Sequence, residues 1–161
     1  MKFLADAMLG RLAKWLRILG YDTGYLPASD VHSLLKVARE ERRVILTRNR
    51  HLPPESRDFR VHLIESDHWK EQLAEVLKAF RLRPGQSRFR RCLVCNQRLT
   101  ALEKGQTEGK VPDFVFVHNE SFLRCPRCGR IFWQGSHLSS MAEILSELPS
   151  RPGQPPKEST R

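Results

Sequence analysis

The chain has 161 residues, 40% of them hydrophobic and 29% charged, which suits one domain with a small appendage and excludes an unstructured polar coil. No apolar run approaches the ~18 residues of a membrane span, and Asp6, Arg11, Lys14 and Arg17 interrupt any apolar leader core, so a soluble, cytoplasmic protein is expected. Lys and Arg total 28 against 18 acids, a net charge of +10, which points to a polyanionic partner such as a nucleic acid rather than a membrane.

The first residues alternate strand and helix. Lys2–Ala5 is a short apolar strand closed by Asp6. Residues 8–19 carry Leu9, Leu12, Leu16 and Leu19 on one helical face, and Gly20 stops the helix. Arg11, Lys14 and Arg17 read as a basic second face, either phosphate-binding or simply solvated. Residues 21–26 form a second strand candidate. Ser29 and Asp30 cap a helix with Val31, Leu34, Leu35 and Ala38 inward. Val44–Thr47 is a buried third strand and residues 60–65 a fourth. Asp67 opens a helix bearing Leu73, Val76, Leu77 and Phe80. This order predicts an α/β fold, a parallel sheet with flanking helices.

Ligands of such sheets bind beyond the carboxyl ends of the strands. Asp6, Thr47-Arg48-Asn49 and Glu65-Ser66-Asp67 fall there, and Asp30 heads the helix before the third strand. Acids converging without an evident nucleophile suggest Mg²⁺ or Mn²⁺ held by oxygen atoms, the cations used to cleave phosphodiesters. Helix capping competes as an explanation for Asp6, Asp30 and Asp67. Arg48 suits a phosphate or a neighbouring carboxylate.

Residues 81–91 hold five arginines and no acid, and read as a basic linker whose Arg88, Arg90 and Arg91 can follow a phosphate backbone. Cys92, Cys95, Cys125 and Cys128 then form two C-x-x-C pairs separated by 29 residues. Such pairs aim four sulfurs at one tetrahedral ion, and with every position a thiolate the zinc is structural. Arg127, inside the second pair, adds a basic rim. Val111, Phe114, Phe116 and Val117 suggest a strand between the pairs, and Ile131–Trp133 another after them, giving a small β-rich zinc ribbon over residues 92–136. Residues 137–148 read as an amphipathic helix, and residues 149–161 as a disordered tail.

Several of these motifs resemble one family. The stretch 3–23, from Phe3-Leu4-Ala5-Asp6 through Gly10-Arg11 to Gly20-Tyr21-Asp22-Thr23, is similar to the opening of the Mut7-C ribonuclease domain. So are Ile45-Leu46-Thr47-Arg48, the Cys92–Asn96 turn, and the run from Cys125-Pro126 to His137. The resemblance covers roughly residues 2–145. It implies a PIN-like nuclease domain over 1–80, a C-terminal zinc ribbon, RNA as partner, and metal-dependent cleavage. It also implies catalytic acids at Asp6, Asp30 and Asp67. Where the family usually has Thr-Arg-Asp this chain has Thr47-Arg48-Asn49, so the candidate Mg²⁺ or Mn²⁺ site has one charge fewer. Two readings follow: a metal-dependent ribonuclease, or a weak or inactive module that binds RNA or a ribonucleoprotein.

Overall fold

The computed structural model describes residues 1–27, 30–83 and 88–133. Ser29, the Pro84-Gly85 pair of the expected linker, His137, the expected helix 137–148 and the expected tail 149–161 lie outside the described residues. One compact unit spans Met1–Asn96 and a second begins at Gln97, so the first cysteine turn belongs to the N-terminal unit.

The first unit is built on a four-stranded parallel sheet. Its strands are β1 (Lys2–Ala5), β2 (Asp22–Tyr25), β3 (Val44–Thr47) and β4 (Val61–Leu63), in the order β2-β1-β3-β4. The central pair β1 and β3 is in register Phe3 to Val44 through Ala5 to Leu46. These two strands carry the apolar runs and are almost wholly buried, as sheets covered on both faces require.

Three helices cover them: α1 (Gly10–Ile18), α2 (Val31–Glu41) and α3 (Trp69–Ala79). Leu34, Leu35 and Ala38 of α2 close on Leu4 and Ile45. Phe3 is one residue from Leu4 and so faces the opposite side, where its ring meets Phe80 edge-on at 5.1 Å. Trp15 of α1 stacks on Trp69 of α3 at 4.7 Å, clamping the two helices together. A turn of 3₁₀ helix, Ala7–Leu9, precedes α1, and Asp6 caps it through Met8 N. A Cβ at Gly10 would sit 2.9 Å from the Tyr25 hydroxyl, so a larger residue there would displace the Tyr25 ring.

The free edge of β2 is closed by side chains instead of a further strand. Thr23 turns both its N–H and its carbonyl outward. Asn96 Oδ1 accepts from Thr23 N at 3.1 Å, and Arg17 Nε donates to Thr23 O at 2.8 Å. Both backbone groups are thereby satisfied without a strand that other chains might extend.

The second unit holds an antiparallel sheet of β5 (Thr100–Leu102), β6 (Phe122–Arg124) and β7 (Ile131–Trp133). The strand expected at Val111 to Val117 is absent. Asp113–His118 is a short helix, α4, with Pro112 at its N-cap. The proline presets the first turn and Asp113 favours the positive helix end. Phe114 and Val117, which strand alternation would have placed on opposite faces, are instead both exposed, at 73% and 64%.

Candidate functional site

All four parallel strands end at one edge, and a cavity of about 500 Å³ opens there. Asp6, Asp30, Thr47, Arg48 and Asn49 line it. Asp6 leaves β1 and is held by three donors: Met8 N to Oδ1 at 3.0 Å, and Thr47 Oγ1 at 2.5 Å and Arg48 N at 3.3 Å to Oδ2. A carboxylate has about four acceptor sites, so one stays open. Asp30 caps α2, accepting from Ser33 N at 2.7 Å and from Ser33 Oγ at 3.2 Å. The Ser33 backbone N–H, more than any other group, holds its carboxyl below the usual carboxylate range. The capping explanation is therefore true of both acids, yet both still border one cavity.

Asn49 also lines the cavity, and its Oδ1 accepts from His51 N at 2.9 Å in a local turn, which leaves one acceptor site on that oxygen. Asp67 does not line the cavity. It is 74% exposed and ion-paired with Arg48, which takes the carboxylate option open to that arginine. Nor does Asp67 cap α3, whose N-cap is His68. Among the described residues, Arg48 Nε is buried and meets no hydrogen-bond partner.

Two of the arginines expected at an RNA surface are corrected. Arg17 is only 5% exposed, and its Nη1 donates to Leu93 O at 2.7 Å and Val94 O at 3.1 Å. Burial pulls its pKa down, against the raising effect of Cys92 and Cys95. Arg91 donates to Gly20 O and Asn96 O and pairs with Asp22. Both guanidiniums are consumed in holding the first cysteine turn. Spacing misled the reading: positions three apart on a helix drift about 60° per step, so Arg17 lies about 120° from Arg11. Arg11, Lys14, Arg88, Arg90 and Arg127 are exposed, with Arg11 lying over the Trp69 ring at 5.3 Å.

Asp22 binds these pieces together. It pairs with Arg43 Nη1 at 2.5 Å, accepts from Asn96 Nδ2 at 2.8 Å and meets Arg91 Nη2 at 3.4 Å. Burial pushes the Asp22 carboxyl up, but these hydrogen bonds and cations outweigh it and leave it below the ordinary range. The sequence reading missed this function of Asp22, and of Asn96 beside Cys95. The available signal was an Asn in a place where the second turn has Gly129.

The ligand atoms of Cys92, Cys95, Cys125 and Cys128 all lie within 4.8 Å of one another. A tetrahedral ion bound at ~2.3 Å to four sulfurs places them ~3.8 Å apart, so the quartet fits structural zinc with little movement. Among the described residues no other group of three or more His, Cys, Asp or Glu is gathered closely enough to share an ion. Asp6, Asp30 and Asp67 are therefore not a ready-made carboxylate trio. Two carboxylates do suit Mg²⁺, which keeps several waters and takes the remaining oxygens from substrate phosphates.

Sheet, cavity and cysteine quartet define an α/β protein with a carboxyl-edge cavity bordered by two acids and a four-cysteine cluster of metal-ligand spacing. The sequence model of the Mut7-C RNAse domain matches residues 1–145, and the chain belongs to that family. No curated protein and no solved structure gives a significant match. No helix among the described residues is long and apolar enough to cross a membrane.

Proposed function

We propose that the chain is a metal-dependent, PIN-like ribonuclease that hydrolyses RNA phosphodiester bonds at the carboxyl-edge cavity, its zinc ribbon aiding RNA binding. The observation that carries this reading is the cavity itself. Asp6 and Asp30, far apart in sequence, line it together with Arg48, in a chain of an RNase family. A divalent cation bound by Asp6 and Asp30 supplies neutralisation of the phosphate charge and a more acidic water. Thr47 Oγ1 and Arg48 N fix the Asp6 carboxylate in one orientation, so no reorganisation is needed when a cation or phosphate arrives. The Ser33 bonds favour the ionised form of Asp30 and hold its carboxylate in place. Arg48, braced by Asp67, brings positive charge to the wall where a phosphate would lie. The exposed Arg11, Lys14, Arg88, Arg90 and Arg127 add positive charge for the RNA backbone.

The test keeps zinc in place and varies the added metal. Washed, zinc-loaded protein is assayed on single-stranded and structured RNA with and without Mn²⁺. Cleavage is expected to need Mn²⁺ and to fall roughly 100-fold or more in Asp6→Asn with the fold intact. Cleavage that ignores the metal, or survives Asp6→Asn, overturns the site.

A second reading rests on Asn49, which offers an oxygen but no charge where the family usually has an acid. With two carboxylates and no third, the chain binds RNA without cutting it. Asn49→Asp separates the two. A large gain in cleavage marks an attenuated nuclease, whereas binding without cleavage in both forms favours the binding module.

A further inference from the structure

The parallel sheet has a second end, and it is strongly basic. A cavity of about 580 Å³ lies at the amino ends of the central strands, lined by Lys2 of β1, Arg39 and Arg42 at the end of α2, and Arg60 before β4. All four side chains are exposed, and none forms an ion pair among the described residues. Arg43 also borders the cavity, but Asp22 and Glu41 occupy it. The lining contains one acid, Asp58. Val44 and Phe59 give it an apolar floor, and Arg39 lies over the Phe59 ring at 5.3 Å.

Four exposed cations without ion pairs around one hollow, with a single acid among them, make a positive field that favours an anion there. Complementing the carbonyl end of α2 accounts for Arg39 and Arg42, but not for Lys2 and Arg60, which come from other elements. Three of the four are guanidiniums, whose planar fork matches phosphate oxygens. Helix α2 links the two sites, with Asp30 at its start and Arg42 at its end. Its 11 residues span ~16 Å, the length of about five stacked nucleotides.

We propose that this basic cavity is a second RNA-backbone site, holding phosphates several nucleotides from the bond that is cut. The proposal rests on the ribonuclease reading, and it adds a length requirement: RNA must exceed about five nucleotides to occupy both ends of α2.

The experiment compares wild-type protein with R42Q/R60Q and with K70Q/K78Q, which removes two exposed cations of α3, at equal melting temperature. Binding of a labelled 20-nucleotide oligouridylate is measured across a salt series, with oligoglutamate as competitor. R42Q/R60Q is expected to bind at least 10-fold more weakly, with a salt slope shallower by about 1.4, while K70Q/K78Q changes affinity less than 3-fold. A dinucleotide, too short to reach both ends, is expected to bind both double variants equally. Equal losses in both double variants, or none in R42Q/R60Q, overturn the second site. Displacement of RNA by oligoglutamate at comparable concentration reassigns the cavity to an acidic protein and also overturns it. Wild-type protein that binds no RNA at low salt removes this inference and the RNA-binding reading together. Binding with the expected losses but without cleavage removes only the nuclease chemistry.

Discussion

The two cysteine turns share a backbone and differ in the residue that closes them. In each, the residue after the second cysteine donates its N–H to the carbonyl of the first, Asn96 to Cys92 and Gly129 to Cys125, both at 2.9 Å. Both closing residues are left-handed, with φ of 65° and 72°. Glycine reaches that region freely, and Asn is among the few other residues that tolerate it. The second turn is a local solution, with Pro126, Arg127 and Cys128 exposed. The first is tied down: Asn96 bonds Thr23 and Asp22, and Arg17 grips the Leu93 and Val94 carbonyls. The same turn thus serves as a bare cysteine clip in one place and as the edge closure of a sheet in the other.

Four measurements break or sharpen that contrast, in order of expected size. Removing the metal, or Cys125→Ser, is expected to abolish the second turn's structure, because zinc supplies about 10–16 kcal/mol of apparent binding energy to lobes too small to fold alone. Hydrogen exchange is expected to rise across residues 122–133 while β1 and β3 stay protected. Equal loss of protection in β1 and β3 would refute independence of the sheet.

Next, Arg17→Met leaves three carbonyls without their donor in a buried setting and is expected to cost about 3 kcal/mol in denaturant melts. Arg127→Ala, on the other turn, is expected to stay within about 0.5 kcal/mol. Similar values for the two would erase the distinction.

Asp22→Asn follows, at about 1–2 kcal/mol near neutrality. The native carboxyl is held below its ordinary value, so its stabilisation is complete above about pH 4 and disappears as pH falls through the lower folded value. The variant is expected to lose stability less steeply below pH 4 than the native chain. An unchanged acid limb would show that Asp22 does not carry the tie.

The smallest contrast exchanges the closing residues. Asn96→Gly keeps the turn but loses two side-chain hydrogen bonds, for about 1 kcal/mol. Gly129→Asn, which meets no atom within 4 Å at its Cβ, is expected to cost less. The reverse order would mean that turn geometry, not tethering, separates the two.

What was readable in one dimension was whatever is encoded in short spacings. Apolar runs located β1 and β3, leucines at helical intervals located α1, and C-x-x-C pairs located the metal turns, because each signal depends only on neighbours along the chain. The β run at Val111 to Val117 failed on the same ground: alternation without a sheet partner is no strand, and Pro112 started a helix instead. Which acids meet at one cavity, which arginines are buried, and that Asp67 braces Arg48 were settled by packing. A charged side chain looks the same in sequence whether it faces water or the carbonyls of a segment some 75 residues away, since only the folded chain decides which donors it must satisfy.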